Sequence, residues 1–157
     1  MSVAIGAALA KRLNKDNHIV YSLHGDGELD EGQCWEAIMY AGAKGVDNLI
    51  STVDWNGLQI DGPTDKVMKH VDLPNQFKSF GWEVMQIDGN EMEEVVNGLK
   101  KAKTMLGKGK PVGILMKTHM GYPVDFMVDN YEWHGVAPND EQLAKALDQL
   151  PVTLGDY

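Results

Sequence analysis

Two apolar runs separated by one segment of helical length constrain the fold of this chain more than any other feature. Residues 19–23 precede a Gly-Asp-Gly turn at 25–27, and residues 49–53 precede Asp-Trp-Asn at 54–56. The segment between them ends at Gly45, a residue suited to a helix C-cap. A strand, a helix and a strand within about thirty residues predict one βαβ unit, whose two strands run parallel.

Asp26 and Asn56 are therefore expected at the carboxyl ends of two parallel strands, on the same edge of one sheet. Neighbouring strands lie about 4.8 Å apart, or about twice that if one strand intervenes. A carboxylate and an amide oxygen that converge there can share a small hard cation such as Mg²⁺, which is usually held together with substrate phosphates. Gly25 and Gly27 would let the backbone turn tightly beside a bulky anion. An ordinary turn uses the same residue types, and the paired spacing favours the metal site.

The residues around this pair resemble an enzyme family. The spacing from the Gly-Asp-Gly turn to Asn56 is similar to the pattern by which thiamine diphosphate enzymes hold the cofactor's diphosphate through Mg²⁺. The sequences GDGELDEGQCWEA and DWNGLQIDGPT resemble transketolase, and most narrowly the N-terminal subunit of split, two-gene transketolases. The resemblance runs from Ser2 to about Leu150.

This resemblance implies a set of site residues. The side chains of Asp26 and Asn56 and the main-chain oxygen of Leu58 would bind Mg²⁺, and Ile60 would pack beside the thiazolium ring of thiamine diphosphate. Glu31 would lie at a dimer interface near the cofactor. Acidic charge at a helix start is also favoured by the helix dipole alone, which is the alternative explanation for Glu31.

A long connection at residues 117–138 is the second informative segment, because connections of about twenty residues are usually functional or mobile. Its end, Trp-His-Gly-Val-Ala-Pro at 133–138, resembles the transketolase segment that carries an active-site histidine. By that resemblance His134 would donate hydrogen bonds or move protons at the substrate. The alternative is a loop histidine stacked on Trp133. His70 and His119 have no comparable context, and the five histidines show no zinc-ligand spacing.

The composition excludes several classes of partner. The 23 acidic and 14 basic residues give a formal net charge of −9, which argues against nucleic acid or an anionic membrane surface as a partner. The single cysteine, Cys34, excludes an internal disulfide and fits a reducing cytoplasm. It lies in an apolar helical segment, so we expect a buried structural thiol. No apolar stretch approaches twenty residues, and no signal-peptide pattern is present.

Alternating strands and helices predict a single α/β domain over residues 1–157, with a parallel sheet and helices on both faces. The first helix, 2–15, has little polar face and is expected to be largely buried. Asn90 is placed to cap a long helix. Further predicted elements are a loop at 57–63, helices at 73–80, 91–106 and from about 139 to before 151, and strands at 82–87 and 112–116.

The resemblance implies a transketolase that transfers a two-carbon ketol unit from a ketose phosphate to an aldose phosphate. This chain corresponds to its diphosphate- and Mg²⁺-binding part. In complete relatives the first helix follows a Gly-rich loop and roughly a hundred further residues, so we expect that the sequence is a fragment or that another polypeptide supplies this portion. A pyrimidine-binding domain, as in a C-terminal transketolase subunit, would also be needed within a homo- or hetero-oligomer. A 2-oxo-acid dehydrogenase component and a non-catalytic remnant or assembly subunit are the alternatives.

Overall fold

A computed structural model describes residues 1–151 of the chain. The strands in this part are β1 (Val20–Gly25), β2 (Leu49–Trp55), β3 (Leu58–Gln59), β4 (Gly62–Pro63), β5 (Glu83–Asp88) and β6 (Val112–Lys117). The α-helices are α1 (Ser2–Leu13), α2 (Gly32–Ala43), α3 (Thr64–Val67), α4 (Leu73–Ser79), α5 (Met92–Met105) and α6 (Asp140–Leu147). Short 3-10 turns cover Gly27–Asp30 and Tyr131–Trp133.

The main sheet has the strand order β1-β2-β6-β5, and all its pairs are parallel. This arrangement confirms the predicted α/β fold. β1 and β2 are direct neighbours, with Gly25 opposite Asp54 at their carboxyl ends. Trp55 of β2 lies opposite Lys117 of β6. The residues that follow β1, β2 and β6 therefore meet at one edge of the sheet.

Helices cover both faces of this sheet. Neighbouring residues of β2 point to opposite faces, so each face contributes to its own core. Leu49 and Val53 pack in one core with buried residues of α1, α2 and α4, whereas Ile50 packs in a second core with Ala102 of α5. Gly45, with φ +56°, ends α2 in the left-handed region as its position in the sequence predicts. The predicted βαβ unit is thus confirmed.

The prediction that the first helix is largely buried was wrong, because one side of α1 is exposed in the described chain. Of α1, Ile5 and Ala8 are buried against the sheet and α2, whereas Val3 is 87% exposed and Leu13 is 84% exposed. The apolar pattern of α1 extends around the helix, and the described chain packs against one side of it.

Two local predictions also need correction. Asn90 does not cap α5: its side-chain oxygen accepts a hydrogen bond from the His119 N–H at 2.8 Å, and Glu91 occupies the N-cap position without a side-chain bond. Residues 57–63 form a small hairpin of β3 and β4 where a loop was expected. Across residues 1–151, the helices fall short of the length and apolar character that a membrane span requires.

Candidate functional site

Asp26 directly follows β1, the outer strand of the main sheet next to β2. Its N–H donates to the Asp54 carbonyl at 3.0 Å, so the backbone is held in line with the β1–β2 ladder. The side chain is only 1% exposed, and its Oδ2 accepts a 2.6 Å hydrogen bond from the Gly57 N–H. The carboxylate therefore joins the end of β1 to the segment that follows β2.

This carboxylate is buried without a cationic partner in the described chain. Burial raises the pKa of Asp26 above its ordinary value, whereas the Gly57 and Gly27 N–H groups lower this pKa. Smaller effects come from Asp54, which raises the pKa, and from His70, which lowers it. None of the ion pairs found in residues 1–151 includes Asp26. The Nζ atom of Lys117, at the end of β6, lies 3.5 Å from the centroid of the Trp55 ring. An unpaired buried carboxylate is costly, which makes a bound cation favourable here.

Asp54 orients the side chain of Asn56, a role that the sequence did not reveal. Its Oδ2 accepts from the Asn56 Nδ2 at 3.2 Å, and its Oδ1 accepts from the Thr118 hydroxyl. The amide oxygen of Asn56 is thereby turned to the opposite side, where it accepts from the Leu58 N–H at 2.8 Å. The position of Asp54 at the end of a buried strand was the available signal.

The hairpin leaves the main-chain oxygen of Leu58 free of the pairing between β3 and β4. Leu58 lies opposite Pro63, and the flanking hydrogen bond runs from the Thr64 N–H to the Gly57 carbonyl at 2.8 Å. Leu58 and Pro63 are therefore a non-hydrogen-bonded pair, in which the N–H and carbonyl groups point away from the partner strand. The Leu58 N–H reaches Asn56, and its carbonyl remains available as a ligand.

The two glycines of the turn have different structural roles. A Cβ at Gly27 would lie 2.8 Å from both Cβ and Oε1 of Gln59, so Gly27 allows the hairpin to approach the turn. A Cβ at Gly25 would meet no atom within 4 Å. Gly25 therefore borders open space at the site, whereas Gly27 is required by close packing within the chain itself.

The remaining predicted residues lie at the surface around this edge. Ile60 is 66% exposed at the tip of the hairpin, and Glu31 is exposed at the N-cap of α2, where its side chain makes no capping bond. His134 is exposed and directly follows the 3-10 turn Tyr131–Trp133, which contacts β4. Trp133 packs edge-on against Phe126, and no stacking with His134 occurs in the described part of the chain. The connection thus carries His134 towards the hairpin.

The donor set at this edge consists of oxygens. It comprises a carboxylate from Asp26, an amide oxygen from Asn56 and a main-chain oxygen from Leu58, the ligand types that a hard divalent cation takes. Clusters of three or more His, Cys, Asp or Glu side chains suited to a metal are absent from residues 1–151. A cation here would therefore need further oxygens from a bound ligand or water. The residues present fit a Mg²⁺ ion that is completed by a diphosphate.

Comparison with known sequences gives the family. Residues 3–153 match the family described as "Transketolase, thiamine diphosphate binding domain". The chain is 37% identical over 149 residues to the 6-deoxy-6-sulfo-D-fructose transketolase subunit SqwG of Clostridium sp. (strain MSTE9), covering 95% of this chain and 54% of that protein. It is 33% identical over 150 residues to an apulose-4-phosphate transketolase subunit of Phocaeicola vulgatus, covering 96% and 53%. The chain thus spans about half the length of these curated relatives.

Solved structures agree with this assignment. The transketolase of Campylobacter jejuni superposes with a TM-score of 0.82 at 31% identity, over 93% of this chain and 23% of that chain. A Pichia stipitis transketolase in complex with sedoheptulose 7-phosphate also gives a TM-score of 0.82, at 25% identity over 91% of this chain and 22% of that chain. The sequence match and the shared fold together show that this chain belongs to the transketolase family, through that family's thiamine diphosphate-binding domain.

Proposed function

We propose that this chain is the diphosphate- and Mg²⁺-binding part of a cytoplasmic transketolase, which transfers a two-carbon ketol unit from a ketose phosphate to an aldose phosphate. The observation that carries this proposal is the buried Asp26 carboxylate, which has no cationic partner in the described chain and lies beside Asn56 and Leu58. A cation bridging these oxygens and a diphosphate would neutralise a charge that the fold otherwise buries at a cost.

Each residue at the edge has a separate role in the proposed site. Asp26, Asn56 and Leu58 hold the Mg²⁺ ion, and Asp54 keeps the Asn56 amide in the orientation that presents its oxygen. Gly25 leaves space beside the diphosphate, as the absence of any atom near its added Cβ suggests. When bound, thiamine diphosphate supplies the electron sink that carbon–carbon bond cleavage needs.

The surface residues act on the cofactor ring, the substrate and the partner chain. Ile60, exposed at the hairpin tip, offers an apolar contact to the thiazolium ring. We assign to His134 the donation of a hydrogen bond or a proton to the reacting sugar phosphate, a role supported by its exposure on the connection that contacts β4. Glu31 remains a prediction for the interface with a second protomer.

Catalysis needs a pyrimidine-binding domain, which we propose to be supplied by a C-terminal transketolase subunit in a homo- or hetero-oligomer. One observation supports this part of the proposal. The similar proteins from Clostridium and Phocaeicola are themselves named as transketolase subunits.

Calorimetric titration tests the cofactor site directly. In the enzyme assembled with its partner, we expect Asp26→Ala to abolish Mg²⁺-dependent binding of thiamine diphosphate, because the charged ligand of the cation is removed. Asn56→Ala should weaken binding less, since the ligand it removes is neutral. Asp65→Ala, which removes an exposed carboxylate from α3, is the matched control. Unchanged cofactor affinity in a well-folded Asp26→Ala protein would end the metal assignment.

An activity assay separates an enzyme subunit from a non-catalytic relative. Ketol transfer should require both this chain and a purified pyrimidine-domain partner, with Mg²⁺ and thiamine diphosphate present. Cofactor binding without any ketol transfer in that mixture would favour an assembly or regulatory role.

A further inference from the structure

A carboxylate outside the proposed metal site connects the hairpin to the Gly-Asp-Gly turn. Asp30 ends the 3-10 turn Gly27–Asp30, and its side chain is 18% exposed. Its Oδ2 accepts a 3.1 Å hydrogen bond from Nε2 of Gln59, the β3 residue that also packs against Gly27. The turn and the hairpin are therefore joined by one largely buried side-chain bond.

The other oxygen of Asp30 faces His70, a residue of the segment between α3 and α4. Its Oδ1 lies 3.1 Å from Nε2 of His70, whose side chain is 10% exposed. Neither atom completes a well-angled hydrogen bond, so this is a contact at ion-pair distance. The His70 ring lies 5.8 Å from the ring of Trp35, which in turn donates from Nε1 to the Leu29 carbonyl at 2.6 Å. His70 is thus held between Asp30 and the first turn of α2.

The hairpin depends on such contacts for its position. β3 and β4 pair at two positions only, and a two-stranded hairpin is marginal at best without tertiary support. Gly57 is fixed to Asp26 by its N–H, and Gln59 is fixed to Asp30 by its side chain. Leu58, whose carbonyl points out of the hairpin, lies between these two attachments.

We propose that Asp30 is a positioning residue, which sets where the Leu58 carbonyl and the Asn56 amide lie relative to Asp26. An ionised carboxylate suits this position because its two oxygens can accept from two directions at once. Gln59 links it to the hairpin, and His70 contacts its other oxygen. The proposal that the hairpin helps to bind Mg²⁺ and the cofactor rests on the proposed function. The attachment of the hairpin to Asp30 rests on the contacts described above.

Paired substitutions at positions 30 and 59 test this role. Asp30→Ala removes the acceptor, and Gln59→Glu places two carboxylates against each other. Both should loosen the hairpin. Combining Asp30→Asn with Gln59→Glu reverses donor and acceptor, so this double variant should restore the attachment. Asp65→Ala is again the matched control, because it removes an exposed carboxylate that lies outside both contacts.

Amide hydrogen exchange without cofactor is the first measurement. In the two single variants the Gly57 and Leu58 amides should exchange about tenfold faster or more, while the Val53 amide in β2 keeps its wild-type rate. The double variant should return towards the wild-type rate. Unchanged exchange at Gly57 and Leu58 would show that Asp30 does not hold the hairpin, and equal acceleration at Val53 would reveal a general structural role instead.

Calorimetry with Mg²⁺ and thiamine diphosphate is the second measurement. The dissociation constant should rise about tenfold in the single variants, equivalent to about 1.4 kcal/mol, and recover in the double variant. A loosened hairpin with unchanged cofactor affinity would overturn the positioning role. Failure of the wild type to bind cofactor together with a purified pyrimidine-domain partner would instead refute the proposed function, while the exchange data would still decide whether Asp30 attaches the hairpin.

Discussion

Replacing Asp26 by asparagine should make the cofactor-free chain more stable and at the same time remove its response to Mg²⁺ and cofactor. The substitution keeps the shape of the side chain and an oxygen that can accept from the Gly57 N–H. It removes the negative charge, which is buried without a cationic partner in the described chain. Stability and cofactor binding should therefore change in opposite directions.

Two opposing effects determine the size of the gain. The effective cost of burying a charge is several kcal/mol. The bond from Gly57 falls from a charge-assisted value of about 1.5–3 kcal/mol to a neutral one of about 0.5–1.5 kcal/mol. Burial raises the pKa of Asp26 in spite of this bond, so the burial cost is the larger effect. Because the loss from the bond is about 1–1.5 kcal/mol, we expect a net gain of at least about 1 kcal/mol at neutral pH, or at least about 2–4 °C in Tm for a domain of this size.

The pH dependence of the free energy of unfolding should also distinguish the wild type from Asp26→Asn. Because the folded chain holds the Asp26 proton more tightly than the unfolded chain, the stabilising contribution of protonated Asp26 is present at acid pH. It is lost as pH rises from the ordinary value near 3.8 through the raised folded pKa. The free energy of unfolding of the wild type without metal should therefore fall over this range more steeply than that of Asp26→Asn.

Thermal melts with a chelator, and then with Mg²⁺ and thiamine diphosphate, provide the assay. A ligand present at a hundred times its Kd stabilises by about 2.7 kcal/mol, which is about 5–10 °C for a domain of this size. The wild type should show this shift and Asp26→Asn should not, so their order of stability reverses. A variant that is less stable than the wild type in chelator at pH 7, or that keeps the Mg²⁺-dependent shift, would refute this reasoning.

Three further predictions concern other parts of the site. His134→Ala should lower the rate of ketol transfer by about 10²–10⁴ with cofactor affinity nearly unchanged, and full activity in this variant would leave His134 as a surface residue. Gly27→Ala should lower stability by about 1–3 kcal/mol in denaturant titrations, because the added Cβ meets Gln59, whereas Gly25→Ala enters open space and should be near neutral; equal effects would contradict this packing. The isolated chain should be inactive and should associate through the exposed apolar side of α1, so a monodisperse monomer in light scattering that turns over xylulose 5-phosphate alone would disprove the need for a partner.

The sequence predicted the parts of this structure that depend on local patterns. The apolar runs before Asp26 and Asn56 and the helix between them were sufficient to place both residues at one sheet edge. Parallel pairing then follows from the helical crossover between the two strands. The resemblance to transketolase was confirmed by the family match over residues 3–153.

The contacts between distant segments could not be read in the same way. The bond from Gln59 to Asp30 and the support from His70 depend on how a hairpin folds back over a turn, which no periodicity records. Asn90 looked like a helix cap because its residue type suits one, but a tertiary contact with His119 uses its side chain instead. The exposed side of α1 was mistaken for a buried one, since an apolar helix surface does not reveal what covers it.

The strand order has a consequence for how the chain folds. β1 and β2 are joined through α2, and β5 and β6 through α5, whereas β2 and β6 meet by pairing Ile50 with Val112 across the intervening chain. Each doubling of a closed loop adds about 0.6 kcal/mol of entropic cost, and pairings between distant residues slow folding. We therefore expect the two βαβ units to gain protection in pulse-labelled hydrogen exchange before the central strand pair does. Asp26 and Asn56 would then come together early, and the connection that carries His134 would arrive only after the two halves of the sheet have joined.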